Sequence, residues 1–318
     1  MYNICVWQVL AGPFAREFPL AEFYATDQQY SFPINLPDTF LGLPPWTKRL
    51  PKSSKGISKE MWAGEFEHEV LTVNPGPVLP GREAYQDVAF VHKPSRTLLV
   101  CDSLFATTPE PPLILTSDPE YVRAMLFHAR DSPTQLVADS PEARRKGWRR
   151  MVLLFNFFIP GSSVADAGLG PILAALKTPS FELGWGGWQP FKWDEESEVK
   201  SFEAFSANGK PTILPIIQII ISRAPEATQE WVDTVSGWDF ERVVPAHLDA
   251  PLAIGPTQFA ETFAFLGKGR NEVRFCDEDV ALLRNLEAGL LRFSVYKTKL
   301  GYLRGQPCGL SGKDRKVK

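Results

Sequence analysis

Two apolar runs in the first third of the chain predict a β-hairpin. The segments DVAFVH, which begins at Asp87, and TLLVCD, which begins at Thr97, are rich in β-branched and aromatic residues, and the four residues KPSR separate them. Two runs of this kind on either side of a short turn-forming segment are typical of antiparallel strands. The pattern therefore predicts that His92 pairs with Thr97 across the turn.

The apolar pattern of the C-terminal third predicts a strand, a helix and a second strand. Residues 212–221 form the continuous apolar run TILPIIQIII, residues 224–237 carry Pro near one end and Gly at the other, and residues 239–246 contain the run RVVP. A continuous apolar run is typical of a strand that is covered on both faces, as in parallel sheets. We therefore expect a right-handed βαβ unit within an α/β fold.

Start and stop signals predict further helices. Ser140 is a suitable N-cap residue, Pro141 suits the first helical position, and the Pro-Gly pair at residues 160–161 would end that helix. Two more helices are expected over residues 255–267 and 277–293.

The stretch over residues 162–211 shows little periodicity and is predicted to be an irregular insertion rich in tryptophan. Its tryptophans are Trp185, Trp188 and Trp193. Such residues either cover an apolar edge of the fold or form a surface for a ligand or protein partner. The remaining pattern favours a single α/β domain over residues 1–318 that ends in a frayed polar tail at residues 311–318.

The composition of the chain excludes several classes of partner. Hydrophobic residues make up 44% of the chain, and its net charge of -3 gives no basic surface for nucleic acid or anionic lipid. The longest apolar runs, MVLLFNFFI and ILPIIQIII, are far shorter than the roughly 20 residues of a membrane-spanning helix. We therefore expect a soluble protein that binds neither nucleic acid nor a membrane.

The cysteines are widely spaced and form no CxxC pair; they are Cys5, Cys101, Cys276 and Cys308. This spacing predicts neither a dense disulfide framework nor a cysteine zinc site, and it favours a reducing intracellular compartment. No targeting segment is visible, so the sequence does not distinguish cytoplasm from plastid.

Two residues that could take part in a reaction follow the predicted strand over residues 239–246. His247 and Asp249 come directly after it, and ligands of open α/β sheets bind beyond the carboxyl ends of their strands. A neutral imidazole can bind a metal or move protons, and a nearby carboxylate can fix its tautomer. A hydrogen-bonded loop histidine without a chemical role is the alternative.

Several segments, in order, carry a resemblance to a known family; they are AGPFAREFP, SFPINLP, VAFVHKPSRTLLVCD, RRKGWRRMVLLF, FERVVPAHLDAP and GPTQFAETFAFL. They resemble the domain of unknown function 4336 family of plants, algae and bacteria from about Leu10 to Leu266. That family is similar to the metallo-β-lactamase fold, a four-layer αββα sandwich whose members are commonly zinc or iron hydrolases.

The resemblance implies a metal site at the ends of two strands. Asp102 takes the place of the fold's metal-bridging aspartate, His247 takes the place of a metal-binding histidine, and the implied ion is zinc or iron. Asp249 would orient the histidine or transfer protons. The fold's main motif, His-x-His-x-Asp-His, has no counterpart here. The resemblance therefore implies a degraded metal centre and a sandwich that lacks its N-terminal strands.

Three other histidines could serve as additional ligands; they are His68, His92 and His128. With the predicted hairpin register, His92 lies roughly 17 Å from Asp102 at about 3.4 Å per residue, too far to share a metal. His68, in EFEHEV, is predicted to lie on the exposed face of a strand. His128 stays open as a contributor to the site.

Two functions follow as hypotheses. The first is a metal-dependent hydrolase with an altered site, in which Asp102 and His247 hold one ion and a small molecule is the substrate. The second is a non-catalytic binding or assembly module of the same fold that contacts a protein partner through its Trp-rich loop.

Overall fold

The computed structural model describes residues 12–26, 43–54, 62, 64–73, 85–132, 135–165, 170, 173, 191–267, 275–292 and 305–310. These residues form a mixed α/β structure of helices and small sheets. Contacts within the chain group it into two compact units. Unit 1 contains Met1–Phe105, Ile217–Arg270 and Ala288–Tyr302, and unit 2 contains Ala106–Ile216, Asn271–Glu287 and Leu303–Lys318.

The secondary structure elements are numbered in chain order. The strands are β1 (Tyr24–Ala25), β2 (Lys48–Arg49), β3 (Phe66–Val73), β4 (Tyr85–His92), β5 (Thr97–Val100), β6 (Ser163–Ala165), β7 (Phe191–Trp193), β8 (Arg242–Pro245), β9 (Phe275–Cys276) and β10 (Gly305–Gln306). The helices are α1 (Leu113–Ser117), α2 (Pro119–His128), α3 (Pro141–Phe157), α4 (Glu195–Ser206), α5 (Pro215–Ile221), α6 (Pro225–Ser236), α7 (Pro256–Thr262) and α8 (Ala281–Arg292). No described helix combines the length and apolar character required to span a bilayer.

The central sheet of unit 1 has the strand order β3-β4-β5-β8. The predicted hairpin is confirmed, since β4 and β5 are antiparallel and His92 lies opposite Thr97. Strand β8 is also confirmed, and it pairs with β5 in parallel, with Val100 opposite Pro245. The carboxyl ends of β5 and β8 therefore meet at one edge of the sheet.

The run over residues 212–221 folds as helix α5 rather than as a strand, so the predicted βαβ unit is wrong. Pro215 is the first residue of the helix, where its missing N–H is harmless, whereas inside a strand it would remove a ladder hydrogen bond. Ile217, Ile219 and Ile221 are all buried. A helix that is apolar on most of its surface produces the same continuous run as a buried strand, and Pro215 was the residue that distinguished them.

Helix α6 packs against strand β3 in unit 1. The indole Nε1 of Trp231 donates a hydrogen bond of 3.1 Å to the backbone oxygen of Glu69. The Trp231 ring also contacts the rings of Phe259 and Phe263, which lie 5.9 Å from it between centroids. This aromatic cluster accounts for the confirmed helix predictions over residues 224–237 and 255–267, because both helices bury an apolar face in it.

Unit 2 contains the helix whose start signals were clearest in the sequence. The hydroxyl of Ser140 accepts a hydrogen bond of 3.1 Å from the backbone N–H of Ala143, and Pro141 occupies the first position of α3. The helix ends at Phe157, before the Pro-Gly pair at residues 160–161. The predicted cap and the predicted stop are both confirmed.

The described part of the predicted irregular insertion is more regular than expected. Strands β6 and β7 pair in antiparallel fashion, and α4 is a helix of 12 residues with Asp194 as its N-cap. Of the three tryptophans, only Trp193 belongs to the described residues. The predicted frayed tail over residues 311–318 lies outside them.

Candidate functional site

Two of the predicted site residues lie together at the edge where β5 and β8 end. Asp102 follows β5 and His247 follows β8, and these strands are parallel neighbours. The Oδ1 atom of Asp102 lies 3.5 Å from the Nε2 atom of His247. Residues 145 positions apart are brought together because both follow strands that end at the same edge.

A tight turn after β8 fixes the position of His247. The backbone groups of Val243 and Leu252 exchange two hydrogen bonds of 2.9 and 2.8 Å, so the chain folds back on its own strand. Leu248 has a positive φ of 65° inside this turn, a left-handed conformation that is uncommon for a leucine. The ring of Phe105 stacks on His247 at 6.1 Å between centroids.

A third acidic residue, Asp87, belongs to this site and was not proposed from the sequence. Its Oδ2 atom accepts a hydrogen bond of 3.1 Å from the backbone N–H of Asp102, and its Oδ1 atom accepts one of 2.7 Å from Val88. Asp87 is 3% exposed, on the buried face of β4 with Ala89 and Val91. The alternation of DVAFVH contained this signal, since it places the aspartate in phase with the apolar residues.

Burial changes the protonation of two of these groups, Asp87 and His247. Burial raises the pKa of Asp87 to about 7, and the negative charge of Asp102 acts in the same direction. Burial lowers the pKa of His247 below its usual range, and Asp102 partly offsets this effect. At neutral pH the imidazole of His247 is therefore neutral. The pKa of Asp87 lies close to neutral pH, so its carboxyl group is protonated about half of the time.

Asp249 lies half-buried on the same turn, two residues after His247. Its proposed role in orienting the imidazole or transferring protons stays a prediction. His92 is at the opposite end of β4 from the site edge and its Nδ1 atom lies 2.6 Å from the hydroxyl of Ser95. His128 ends helix α2 in unit 2.

The prediction of an exposed His68 is wrong. The residue does lie on strand β3, but it is 2% exposed and shares the buried face with Val70. Its Nε2 atom donates a hydrogen bond of 2.9 Å to the backbone oxygen of Pro51. The neighbouring glutamates suggested an exposed strand face, whereas the buried carbonyl partner allows a histidine to face inward.

The zinc or iron implied by the resemblance needs several donor atoms close enough to contact one ion. The Asp102 and His247 donor atoms, 3.5 Å apart, can both contact one zinc ion at bond lengths of about 2.0–2.2 Å. Within the described residues, however, no group of three or more His, Cys, Asp or Glu side chains is arranged to hold a metal. Catalytic zinc usually has three protein donors, so Asp102 and His247 alone would not complete such a site.

Comparison with known proteins identifies one family. The chain matches the family described as domain of unknown function (DUF4336) over residues 6–265, a range that contains Asp87, Asp102 and His247. No curated protein and no solved structure gives a significant match.

Proposed function

Since the chain belongs to the family described as domain of unknown function (DUF4336), we propose its function from the geometry of the site. The protein is a metallo-β-lactamase-like hydrolase with a reduced metal centre, in which Asp102 and His247 hold one divalent cation and a small molecule is the substrate. Zinc and iron are among the ions that imidazole ligands suit, and they are the ions that the resemblance implies.

The main support for the proposal is the short distance between two donor atoms. Asp102 Oδ1 lies 3.5 Å from His247 Nε2 at the ends of adjacent parallel strands. Ligands of open α/β sheets bind at this position. The lowered pKa of His247 supports the same proposal, because a metal binds the neutral imidazole and competes with a proton for its nitrogen.

The surrounding residues would orient the two donors. Asp87 holds the backbone N–H of Asp102 by a hydrogen bond of 3.1 Å, and Phe105 stacks against the His247 ring. Asp249 would fix the imidazole tautomer or transfer protons from its position on the same turn. A bound divalent cation supplies Lewis acidity and lowers the pKa of a coordinated water.

Calorimetric titration of the full chain with Zn²⁺ tests the cation site. We expect one site whose affinity falls at least tenfold in Asp102→Asn and in His247→Ala, because each change removes one of two donors. His92→Ala is the matched control, since it removes an exposed histidine at the other end of the strand, and it should bind Zn²⁺ as the native chain does. Absence of binding, or equal affinity in all three variants, would refute the cation site.

A non-catalytic binding or assembly module is the second candidate. The observation that favours it is the lack of a third donor side chain among the described residues. Hydrolysis assays with ester, phosphodiester and β-lactam substrates in the presence of Zn²⁺ separate the two functions. Turnover that is lost in His247→Ala, with an unchanged circular dichroism spectrum, supports the hydrolase. Zn²⁺ binding without turnover on any of these substrates supports the module.

A further inference from the structure

A disulfide joins the two ends of a short parallel strand pair in unit 2. Cys276 ends β9, Cys308 follows β10, and their sulfur atoms are bonded across a separation of 32 residues. The wide spacing of the cysteines in the sequence did not predict this pairing. Cys276 is fully buried, whereas Cys308 is partly exposed.

The backbone of Cys276 is held in place by hydrogen bonds. Its backbone oxygen accepts hydrogen bonds from the N–H groups of Asp279 and Val280, which form the turn into helix α8. The Oδ1 atom of Asp279 in turn accepts hydrogen bonds of 2.7 Å from the Gly161 N–H and 3.1 Å from the Ser201 hydroxyl. The segment that contains Cys276 is therefore held to Gly161 and Ser201 through Asp279.

The ring contacts of the neighbouring Phe275 add to this anchoring. Its ring lies 5.9 Å from that of Phe157 and 6.0 Å from that of Phe205, measured between centroids. Phe275 and its two partners are all buried. The β9 side of the disulfide thus belongs to the apolar core of the unit.

Cys308 lies in residues 305–310, which we name the C-terminal strap. Fewer contacts are described for this segment than for the β9 side of the disulfide. The strap pairs with β9 at Gly305 and Gln306, and the oxygen of Gln306 accepts a hydrogen bond of 3.0 Å from the Asp277 N–H. At its other end Leu310 is 1% exposed and lies beside Gly161. Between these two contacts, the disulfide attaches the strap covalently to β9.

We propose that Cys276–Cys308 is a thiol–disulfide exchange site through which a dithiol reductant releases the C-terminal strap. A thiolate of the reductant attacks the more accessible Cys308 sulfur, forms a mixed disulfide and displaces the Cys276 thiolate, which takes up a proton. The second thiol of the reductant then attacks the mixed disulfide and frees Cys308 as a thiol. Two electrons and two protons pass to the protein, and the reductant leaves as a disulfide.

Release of the strap changes the surface of unit 2. The buried Leu310 leaves its place beside Gly161, and the edge of β9 loses its parallel partner. An unpaired strand edge next to apolar side chains is a surface that can pair with another chain. Reduction therefore converts a closed edge into an accessible one. This inference does not depend on the cation site of unit 1.

Hydrogen exchange of the full chain, compared between oxidising buffer and buffer with dithiothreitol, tests the proposal. We expect backbone exchange in residues 305–310 to accelerate at least tenfold on reduction, while the circular dichroism spectrum of the protein stays unchanged. Thiol titration of the unfolded protein should show two more thiols after reduction than before.

Two variants make the test specific. Cys308→Ser should show the fast strap exchange in both buffers, and Cys101→Ser, which removes a cysteine of unit 1 outside this disulfide, should respond as the native chain does. The proposal is wrong if thiol titration finds no disulfide in the oxidised protein, or if strap exchange is the same in both buffers. Loss of the helical circular dichroism signal on reduction would also contradict it, because it would indicate unfolding of the unit.

Discussion

Individual buried side chains in this protein have protonation behaviour that their residue types alone do not predict. His128 is the clearest case: burial lowers its pKa to about 4, and the nearby charges of Arg150 and Arg130 act in the same direction. Asp279 shows the opposite shift, since burial raises its pKa to about 6. In each case the side chain favours its neutral form because the interior solvates a charge poorly.

The pKa of His128 leads to a prediction about acid stability. The unfolded chain takes up a proton near the usual histidine value of 6.5, whereas the folded chain does so at about 4. As the pH falls through this window the unfolded state binds more protons, so folding stability decreases. The contribution of this residue is on the order of 3 kcal/mol at full effect.

We therefore expect His128→Gln to lose less stability than the native chain between pH 6.5 and pH 4, as measured by urea unfolding at each pH. His92→Gln is the control, because the side chain of His92 lies at an exposed turn. If the stability of His128→Gln falls with pH as much as that of the native chain, the prediction is wrong, because the imidazole is then also protonated in the folded protein.

At the scale of elements, unit 2 depends on close contact among its helices. Gly147 allows α3 to approach α2, because a Cβ atom at this position would lie 1.9 Å from the backbone oxygen of Met125. Helix α3 is also tied to α4 through a buried ion pair, in which Arg150 Nε donates to Glu198 Oε2 at 2.6 Å. Breaking one partner of such a pair is strongly destabilising, since the other charge stays buried.

Gly147→Ala tests the helix contact. In an exposed helix this change stabilises by up to about 1 kcal/mol, but here the methyl group would meet a backbone atom that cannot rotate away. We expect the free energy of unfolding to fall by about 3 kcal/mol or more, measured by denaturant titration. Gly64→Ala is the matched control, because a Cβ atom there has nothing within 4 Å. Similar stability of the two variants would contradict the contact.

At the scale of the whole molecule, the covalent link between distant parts of the sequence limits the freedom of the unfolded chain. Cys276 and Cys308 are 32 residues apart. A cross-link over a loop of that length stabilises a folded protein by about 3–4 kcal/mol, chiefly by restricting the denatured ensemble.

Cys308→Ser is accordingly expected to lower the free energy of unfolding by about 3–4 kcal/mol under oxidising conditions. The measurement is guanidinium unfolding with and without dithiothreitol. With reductant present, the native chain and the variant should unfold at nearly the same denaturant concentration. A large difference that persists in dithiothreitol would mean that the serine disturbs packing, and that the cross-link is not the cause.

Features that depend on residues close together in the chain could be predicted from the sequence. The hairpin register, the Ser140 cap and the helix over residues 225–236 follow from turn residues, caps and short-range periodicity. The placement of His247 after a strand also came from local pattern, and the resemblance added Asp102 as its partner. Such local preferences survive folding because tertiary contacts reinforce them.

Features that depend on the surroundings of a residue were visible only in the folded chain. Whether residues 212–221 form a strand or a helix, and whether His68 faces inward, were set by packing that a one-dimensional pattern does not contain. Asp87 joined the site, and Cys276 met Cys308, because strand pairing brought distant segments together. Apolar runs report that a segment is buried, but the partner against which it is buried is a property of the folded chain.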